Sequence, residues 1–166
     1  ALGARVIAAA STAEKLAVCK EHGADELINY ESEDMKARLK ELTAGKGVDV
    51  VYDPVGGPFS EIALRSTGWR GRFLVIGFAN GEIPKVPLNL TLLKGSSIIG
   101  VFWGDYVKRE PDNNINDLFA LFGWLQEGKL KPHIAGSYSL EEGPAAIREL
   151  MDRKVSGKIV ITPAED

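Results

Sequence analysis

Two polar side chains near the start of the sequence have the type and spacing needed to bind a phosphate group. Ser11 offers a hydroxyl, and Lys15, one helical turn later, offers an ammonium group. The run Ser11-Thr12-Ala13-Glu14 matches the Ser-x-x-Glu capping box, so it predicts a helix whose N-terminal dipole favours anions. Two simpler interpretations stay open: Ser11 is only the helix cap, and Lys15 is only a solvated charge.

Other reactive side chains are few and scattered. The single cysteine, Cys19, excludes an internal disulfide and a cysteine cluster for zinc. His22 and His133 are far apart in sequence, fit no metal-ligand spacing and are better explained as surface or helix-end residues. No general acid, base or nucleophile stands out. The sequence therefore predicts no metal site.

Composition narrows the class of partner. The chain has 166 residues, of which 45% are hydrophobic and 26% charged, as in an ordinary globular protein. Its formal charge of −3 gives no general attraction to nucleic acid. No apolar run approaches the roughly 20 residues that cross a bilayer, and no export signal is evident. We expect a cytoplasmic protein with no membrane or nucleic-acid partner.

Apolar runs and helix signals alternate along the chain. Strands are predicted at 5–10, 26–30, 48–52, 72–76, 96–102 and 158–162. Helices are predicted at 11–22, 32–43, 59–67, 116–126 and 139–153, the last one beginning with a second capping box. Strands that are apolar on both faces and alternate with helices indicate a parallel, doubly wound α/β sheet.

Ligands of such sheets bind beyond the carboxyl ends of the strands. This rule selects the segments 10–15, 29–30, 53–57, 77–80 and 102–103. It locates a site without naming the ligand.

Four segments together resemble the quinone oxidoreductase branch of the medium-chain dehydrogenase/reductase superfamily, which has a zinc-type alcohol dehydrogenase-like coenzyme domain. They are LGARVIAAASTAEKLAVCKEHGADELINY at 2–30, GVDVVYDPVGG at 47–57, the run from GRFLVIG to GVFWGDY at 71–106, and GKLKPHIAGSYSLEEGPAAIRELMDRKVSGKIVITP at 128–163. The resemblance covers almost the whole chain, with the segments in the same order.

The resemblance implies a Rossmann-type domain that is incomplete at its N-terminal side. Residues 1–130 would be an NADP-binding domain that lacks its first strand and Gly-rich loop, since no G-x-G-x-x-G motif is present. Residues 131–166 would be the C-terminal return to the catalytic domain. The first residues contain no initiator Met, and we expect the chain to begin in the middle of a longer fold.

The resemblance also implies which residues meet the coenzyme. Rossmann domains that prefer NAD usually carry Asp or Glu at the end of the second strand, where this sequence has Ala9-Ala10-Ser11. A ribose 2′-phosphate, and hence NADPH, is therefore expected at Ser11 and Lys15. By resemblance, Tyr30 would touch the same phosphate. Along the rest of the coenzyme we expect Val55 and Gly56 at the adenosine, Ile76, Gly77 and Phe78 at the nicotinamide riboside, and Val101, Phe102 and Trp103 at the nicotinamide and the substrate.

Each of these assignments has a purely structural alternative. Tyr30 could serve packing alone, and residues 53–57 could be a turn that simply joins a strand to a helix. Phe102 and Trp103, an aromatic pair beside a strand, could belong to the core.

The expected activity is hydride transfer from NADPH to a quinone or a conjugated carbonyl. Alternatives are a zinc-free enoyl or acryloyl reductase of the same superfamily, and a coenzyme-binding or oligomerising fragment without activity. The isolated chain is expected to be inactive, and the zinc dependence of a longer protein stays open. The apolar strand at 96–102 is predicted to pair with its twin in a homodimer, since it would otherwise be an exposed, adhesive edge.

Overall fold

The computed structural model describes residues 1–152 and 154–163, and helices and strands alternate along most of the chain. The strands are β1 (Ile7–Ala10), β2 (Glu26–Asn29), β3 (Val48–Asp53), β4 (Thr67–Val75), β5 (Ser97–Gly100), β6 (Ile134–Ser139) and β7 (Lys158–Thr162). The helices are α1 (Ala13–Glu21), α2 (Met35–Leu42), α3 (Phe59–Arg65), α4 (Asn89–Lys94), α5 (Trp103–Arg109), α6 (Pro111–Gln126) and α7 (Gly143–Met151). The predicted α/β class is confirmed.

Every strand pair is parallel, and the described strands form three sheets. The first sheet consists of β1 and β2, and the third consists of β6 and β7. The second sheet has three strands in the order β3, β4, β5. Parallel neighbours need crossover connections, which α1, α3, α4 and α7 supply. β1 and β3 belong to different sheets in the described chain.

The main core lies on one face of the β3–β4–β5 sheet. Leu64 of α3, Phe73 of β4 and Leu90 of α4 are buried together there. On the opposite face, the β3 side chains of Val50 and Tyr52 are 40% and 67% exposed. The helices that connect these strands, α3 and α4, lie on the same side of the sheet as Phe73.

Short elements were missed from the sequence. The proline-containing connection before β5 contains α4, which ends at Lys94. The ammonium group of Lys94 donates a hydrogen bond to the carbonyl of Thr67 at 2.7 Å. α5 and β6 were also not predicted. Each of these elements has at most seven residues, too few for a clear apolar period.

Several boundaries differ from the prediction. β4 begins at Thr67 rather than at residue 72, and α6 begins at Pro111, which is a favourable first helical residue, rather than at residue 116. The reciprocal bonds of the second capping box are present, between Ser139 and Glu142, but α7 begins only at Gly143. The predicted end of that helix, Arg153, lies outside the described residues.

The cap of α1 was assigned to the wrong residue. Thr12 is the N-cap, and its hydroxyl accepts the backbone N–H of Lys15 at 3.3 Å. Ser11 lies one position earlier, outside the helix. The two hydroxyl residues are adjacent, and the Ser-x-x-Glu pattern alone favoured the first.

No helix within residues 1–152 and 154–163 combines the length and the apolar character needed to span a membrane.

A glycine sets the approach of the turn before β3 to the start of β4. Gly47 has a φ of +79°, and a Cβ atom there would lie 2.6 Å from the nitrogen of Gly68 and 2.7 Å from the oxygen of Ser66. Both neighbours are backbone atoms, so neither can move aside cheaply. Gly45 has a similar φ of +76°, with nothing within 4 Å of its Cβ position.

Alanine substitutions at Gly45 and Gly47 distinguish the cost of a left-handed backbone from the cost of steric overlap. We expect Gly45→Ala to lower the free energy of unfolding by about 1–2 kcal/mol, since it carries only the left-handed penalty. Gly47→Ala should lower it by about 1–3 kcal/mol more, because of the added overlap. Urea unfolding of both variants measures the difference, and equal losses would contradict the close approach.

Candidate functional site

The carboxyl ends of β1 and β2 bring two of the expected residues to one edge. The register pairs Ala10 with Asn29, the last residues of the two strands. Ser11 and Tyr30 directly follow them, and the backbone N–H of Tyr30 donates to the carbonyl of Ala10 at 3.2 Å. Ser11 and Tyr30 therefore leave neighbouring strands side by side.

Lys15 lies in the first turn of α1, immediately after this edge. Its side chain is half-buried, and its ammonium group has no hydrogen-bond or ionic partner within residues 1–152 and 154–163. The Ser11 hydroxyl likewise has no partner in the described part of the chain. One hydroxyl and one cation thus stand near the start of a helix with their bonding capacity unused, which is an arrangement suited to an anion.

One carboxylate lies close in sequence to these groups. The pKa of Glu14 is lowered, first by a hydrogen bond to its own backbone and then by one to the Thr12 side chain. Glu14 is exposed on the first turn of α1, whereas the end of β1, from Ala9 to Ser11, carries no carboxylate. The negative charge is therefore displaced from the position where a Rossmann domain holds a ribose diol.

Tyr30 also connects this edge to the next sheet. Its ring lies against the ring of Phe59, with 4.4 Å between the centroids and a tilt of 42°. Phe59 is the first residue of α3, so the contact joins the end of β2 to the turn that follows β3. Packing of Tyr30 is thus established, and a role toward a phosphate stays a prediction. The contact escaped sequence reasoning because no local pattern relates residues 30 and 59.

The carboxylate of Asp53, at the end of β3, organises the following turn. One oxygen accepts the backbone N–H groups of Val55 and Gly56 at 3.0 and 2.9 Å. The other oxygen accepts the hydroxyl of Ser60, which is buried, at 2.6 Å. Sequence reasoning marked the turn but not the carboxylate that shapes it, although Asp before a Pro-x-Gly turn is a known signal for such bonds.

The same turn is tied to the loop after β4 by backbone hydrogen bonds. Ile76 and Gly77 donate to the carbonyl of Asp53 at 3.0 and 3.4 Å, and Asn80 donates to the carbonyl of Val55 at 2.8 Å. A further bond runs from Gly57 to the carbonyl of Glu82 at 3.2 Å. The segments expected at the adenosine and at the nicotinamide riboside therefore form one continuous surface.

Side-chain contacts leave no spare room at the centre of this surface. Gly56 has a φ of +72°, and a Cβ atom there would lie 2.9 Å from Cδ1 of Phe78. A Cβ on Gly77 would lie 3.3 Å from the carbonyl oxygen of Pro54. The turn at 53–57 therefore has a structural function of its own, whether or not it also meets a ligand.

A small apolar cavity lies beneath this surface. It has a volume of about 170 Å³. Asp53 and Ser60 provide its polar end, and its apolar walls include Phe73, Phe78 and Ile98. Pockets for drug-sized ligands have volumes of about 300 Å³ or more, so a dinucleotide would lie along the open strand ends rather than inside this cavity.

The last expected segment follows β5. The backbone N–H of Val101 donates to the carbonyl of Val75 at 2.9 Å, which extends the β4–β5 ladder by one residue. Phe102 and Trp103 are then 76% and 65% exposed. The alternative that this aromatic pair belongs to the core is therefore wrong. The chain leaves the sheet after Val101, and both rings are exposed to solvent.

The two histidines are close in space although they are distant in sequence. The rings of His22 and His133 meet edge to face with 5.5 Å between their centroids. Within residues 1–152 and 154–163, no group of three or more His, Cys, Asp or Glu side chains is arranged to hold a metal ion. The contact joins the end of α1 to the start of β6.

Comparisons with known proteins identify similar chains. The family model described as "Zinc-binding dehydrogenase" matches residues 1–122. A quinone oxidoreductase-like protein 2 homolog of Nematostella vectensis is 38% identical over 96% of this chain and 44% of its own length. A 2-haloacrylate reductase of a Burkholderia species is 32% identical over 98% of this chain and 49% of its own length.

The fold is also similar to solved structures. The crystal structure of Escherichia coli quinone oxidoreductase complexed with NADPH aligns with a TM-score of 0.87 and 30% identity. The alignment covers 98% of this chain and 50% of that one. The chain thus spans about half the length of the relatives it matches.

The Asp53 network gives a prediction that is independent of any ligand. Asp53→Ala removes the acceptor of three hydrogen bonds, so we expect the free energy of unfolding to fall by roughly 2–4 kcal/mol. Asp49→Ala is the matched control, because Asp49 is exposed on the same strand and should change stability by less than about 0.5 kcal/mol. Similar losses for both variants, measured by urea unfolding, would refute the network's importance.

Proposed function

The chain belongs to the zinc-binding dehydrogenase family, among its quinone oxidoreductase-like proteins, and from that premise we propose that it is the coenzyme-binding part of an NADPH-dependent oxidoreductase. The complete enzyme would transfer a hydride from NADPH to a quinone or a conjugated carbonyl. In this proposal residues 1–130 form the NADP-binding domain, and residues 131–166 return to the catalytic domain.

The observation that carries the proposal is the unpaired cation at the carboxyl edge of β1 and β2. The Lys15 ammonium and the Ser11 hydroxyl have no partners in the described chain, and Tyr30 leaves the neighbouring strand beside them. A ribose 2′-phosphate supplies the charge and the acceptor oxygens that these groups lack. The relative solved with NADPH supports the same choice.

The coenzyme supplies the reactive hydride, so the protein's task is to bind and orient it. In the proposal Val55 and Gly56 contact the adenosine side, and Ile76, Gly77 and Phe78 flank the nicotinamide riboside. The backbone bonds between the turn after β3 and the loop after β4 hold these two stretches in a fixed relation. Val101, Phe102 and Trp103 would then bound the space for the nicotinamide and the acceptor.

The acceptor class rests on the relatives. One of them is described as a quinone oxidoreductase-like protein and another as a 2-haloacrylate reductase, whose name denotes a conjugated acid. Quinones and 2-haloacrylates both contain a carbon–carbon double bond conjugated to a carbonyl group. An enoyl or acryloyl reductase is therefore the second candidate function, and it differs from the first in its acceptor.

The test of the proposal is an assay of the full-length protein with NADPH and NADH against quinones and enones. We expect turnover with NADPH, and Lys15→Ala should weaken NADPH binding by roughly 1–3 kcal/mol through a lost charged hydrogen bond. NADH binding should change little, because its ribose carries no phosphate. Isothermal titration of both coenzymes measures the two affinities.

Lys40→Ala provides the matched control, since it removes one exposed positive charge from α2 and should leave both affinities unchanged. Equal losses of NADPH and NADH binding in Lys15→Ala would contradict the phosphate contact. NADPH binding without reduction of either acceptor class would favour the non-catalytic alternative.

A homodimer through β5 is a further part of the proposal. β5 is an edge strand, hydrogen-bonded to β4 alone among the described strands, and Ile98 and Ile99 are 38% and 39% exposed. An apolar edge of this kind tends to pair with another strand, and a second copy of the chain offers the identical edge.

Sedimentation of the full-length protein tests this pairing. We expect a dimer, and Ile99→Lys should shift it toward the monomer by placing like charges on facing edges. Leu140→Lys, at an exposed apolar position before α7, should leave the assembly unchanged. A monomeric parent protein, or equal dissociation of both variants, would overturn the assignment.

A further inference from the structure

The exposed aromatic pair after β5 is carried by a hairpin of two helices with little core of its own. α5 begins at Trp103, and Glu110 separates it from α6. Neither helix contains a buried residue. Hydrophobic packing, which normally fixes the relative placement of two helices, therefore contributes less here, and a single polar contact has more weight.

One hydrogen bond supplies such a contact. The hydroxyl of Tyr106, on α5, donates to the Asp117 carboxylate, on α6, at 2.7 Å. Within residues 1–152 and 154–163 it is the side-chain hydrogen bond that joins the two helices. The pKa of Tyr106 is raised to about 12, chiefly by this hydrogen bond, which stabilises the protonated phenol.

The segment between β5 and Tyr106 is anchored at both ends. At one end the N–H of Val101 donates to the carbonyl of Val75 at 2.9 Å. At the other end the N–H of Tyr106 donates to the carbonyl of Phe102 at 3.1 Å, and the phenol binds Asp117. Trp103 lies one helical turn before Tyr106. Movement of α5 relative to α6 would therefore move Phe102 and Trp103 directly.

We infer that Tyr106 is a positioning residue, which through its hydrogen bond to Asp117 holds Phe102 and Trp103 in place beside the acceptor. The inference rests on the proposed function, because the acceptor pocket is part of that proposal. Tyr106 itself contacts neither coenzyme nor acceptor in this assignment. Its effect is confined to the aromatic segment, and the Ser11 and Lys15 edge lies on other elements.

The chain contains a matched control for this bond. Tyr138 donates from its hydroxyl to the carboxylate of Glu149 at 2.8 Å, again across 11 residues, and it joins β6 to α7. The pKa of Tyr138 is also raised, chiefly by its carboxylate partner. Tyr138→Phe therefore removes the same chemical group on β6 and leaves the helices α5 and α6 that carry the aromatic pair untouched.

The experiment compares Tyr106→Phe with Tyr138→Phe in the full-length protein. Tyr106→Phe should reduce kcat/KM for the acceptor about three- to tenfold, the range expected for one lost hydrogen bond, with the NADPH Kd unchanged. Tyr138→Phe should leave both constants unchanged at a comparable loss of Tm. Equal kinetic losses in both variants, or a loss in Tyr106→Phe that follows the NADPH Kd, would overturn the assignment.

Conservative replacement at Asp117 provides the rescue. Asp117→Asn keeps an acceptor oxygen for the phenol and should retain most of the acceptor kcat/KM, whereas Asp117→Ala should resemble Tyr106→Phe. Equal activities of Asn and Ala at this position would exclude a hydrogen-bonding role for Asp117.

Hydrogen exchange separates this inference from the proposed function. Backbone amides in 102–109 should exchange faster in Tyr106→Phe and not in Tyr138→Phe, whether or not an acceptor has been found. Unchanged exchange in 102–109 would overturn the positioning role by itself. A parent protein without turnover toward quinones or enones would refute the proposed function and the acceptor role together, while the exchange result still decides whether Tyr106 holds the segment.

Discussion

The strand-end surface depends on the hydrogen bonds made at Asp53. Its carboxylate fixes the turn after β3 through Val55, Gly56 and Ser60, and its carbonyl receives the N–H groups of Ile76 and Gly77. A charged acceptor with several donors is worth more than a neutral one, because each bond is charge-assisted. One residue therefore sets the relation between the loops after two neighbouring strands, and with it the shape of the edge where parallel sheets bind their ligands.

Close packing follows from this arrangement and limits what the surface can do. Phe78 occupies the space above Gly56, so a larger residue at position 56 would displace the ring or the turn. The cavity below, of about 170 Å³, holds no dinucleotide. In the proposed function the coenzyme would therefore extend across the strand ends, from the Ser11 and Lys15 edge toward Phe78 and Trp103. The contact between Tyr30 and Phe59 joins the end of β2 to the turn after β3.

Much of this fold could be predicted from the sequence, because apolar runs such as 48–52 are local signals of buried parallel strands. Local signals also misled, as when the capping pattern favoured Ser11 over the adjacent Thr12. α4 was missed because its six residues are too few to show a clear apolar period. The same difference applies to the candidate site. The residues at the strand ends could be predicted from local patterns, whereas the contact between the rings of Tyr30 and Phe59 depends on tertiary packing alone.

In the proposed function the coenzyme supplies the hydride, which is consistent with the small number of reactive side chains in this chain. For hydride transfer the reacting atoms need to lie about 3–3.5 Å apart, and misplacement by 1 Å can reduce the rate about a hundredfold. Groups that only hold other groups can therefore matter as much as those that touch the substrate. In this chain such groups are held by polar bonds, by several at Asp53 for the turn and by one at Tyr106 for the aromatic pair. The Tyr106 bond lies on two helices without a buried residue, so its loss is less easily compensated by surrounding packing than the loss of an equal bond in a core.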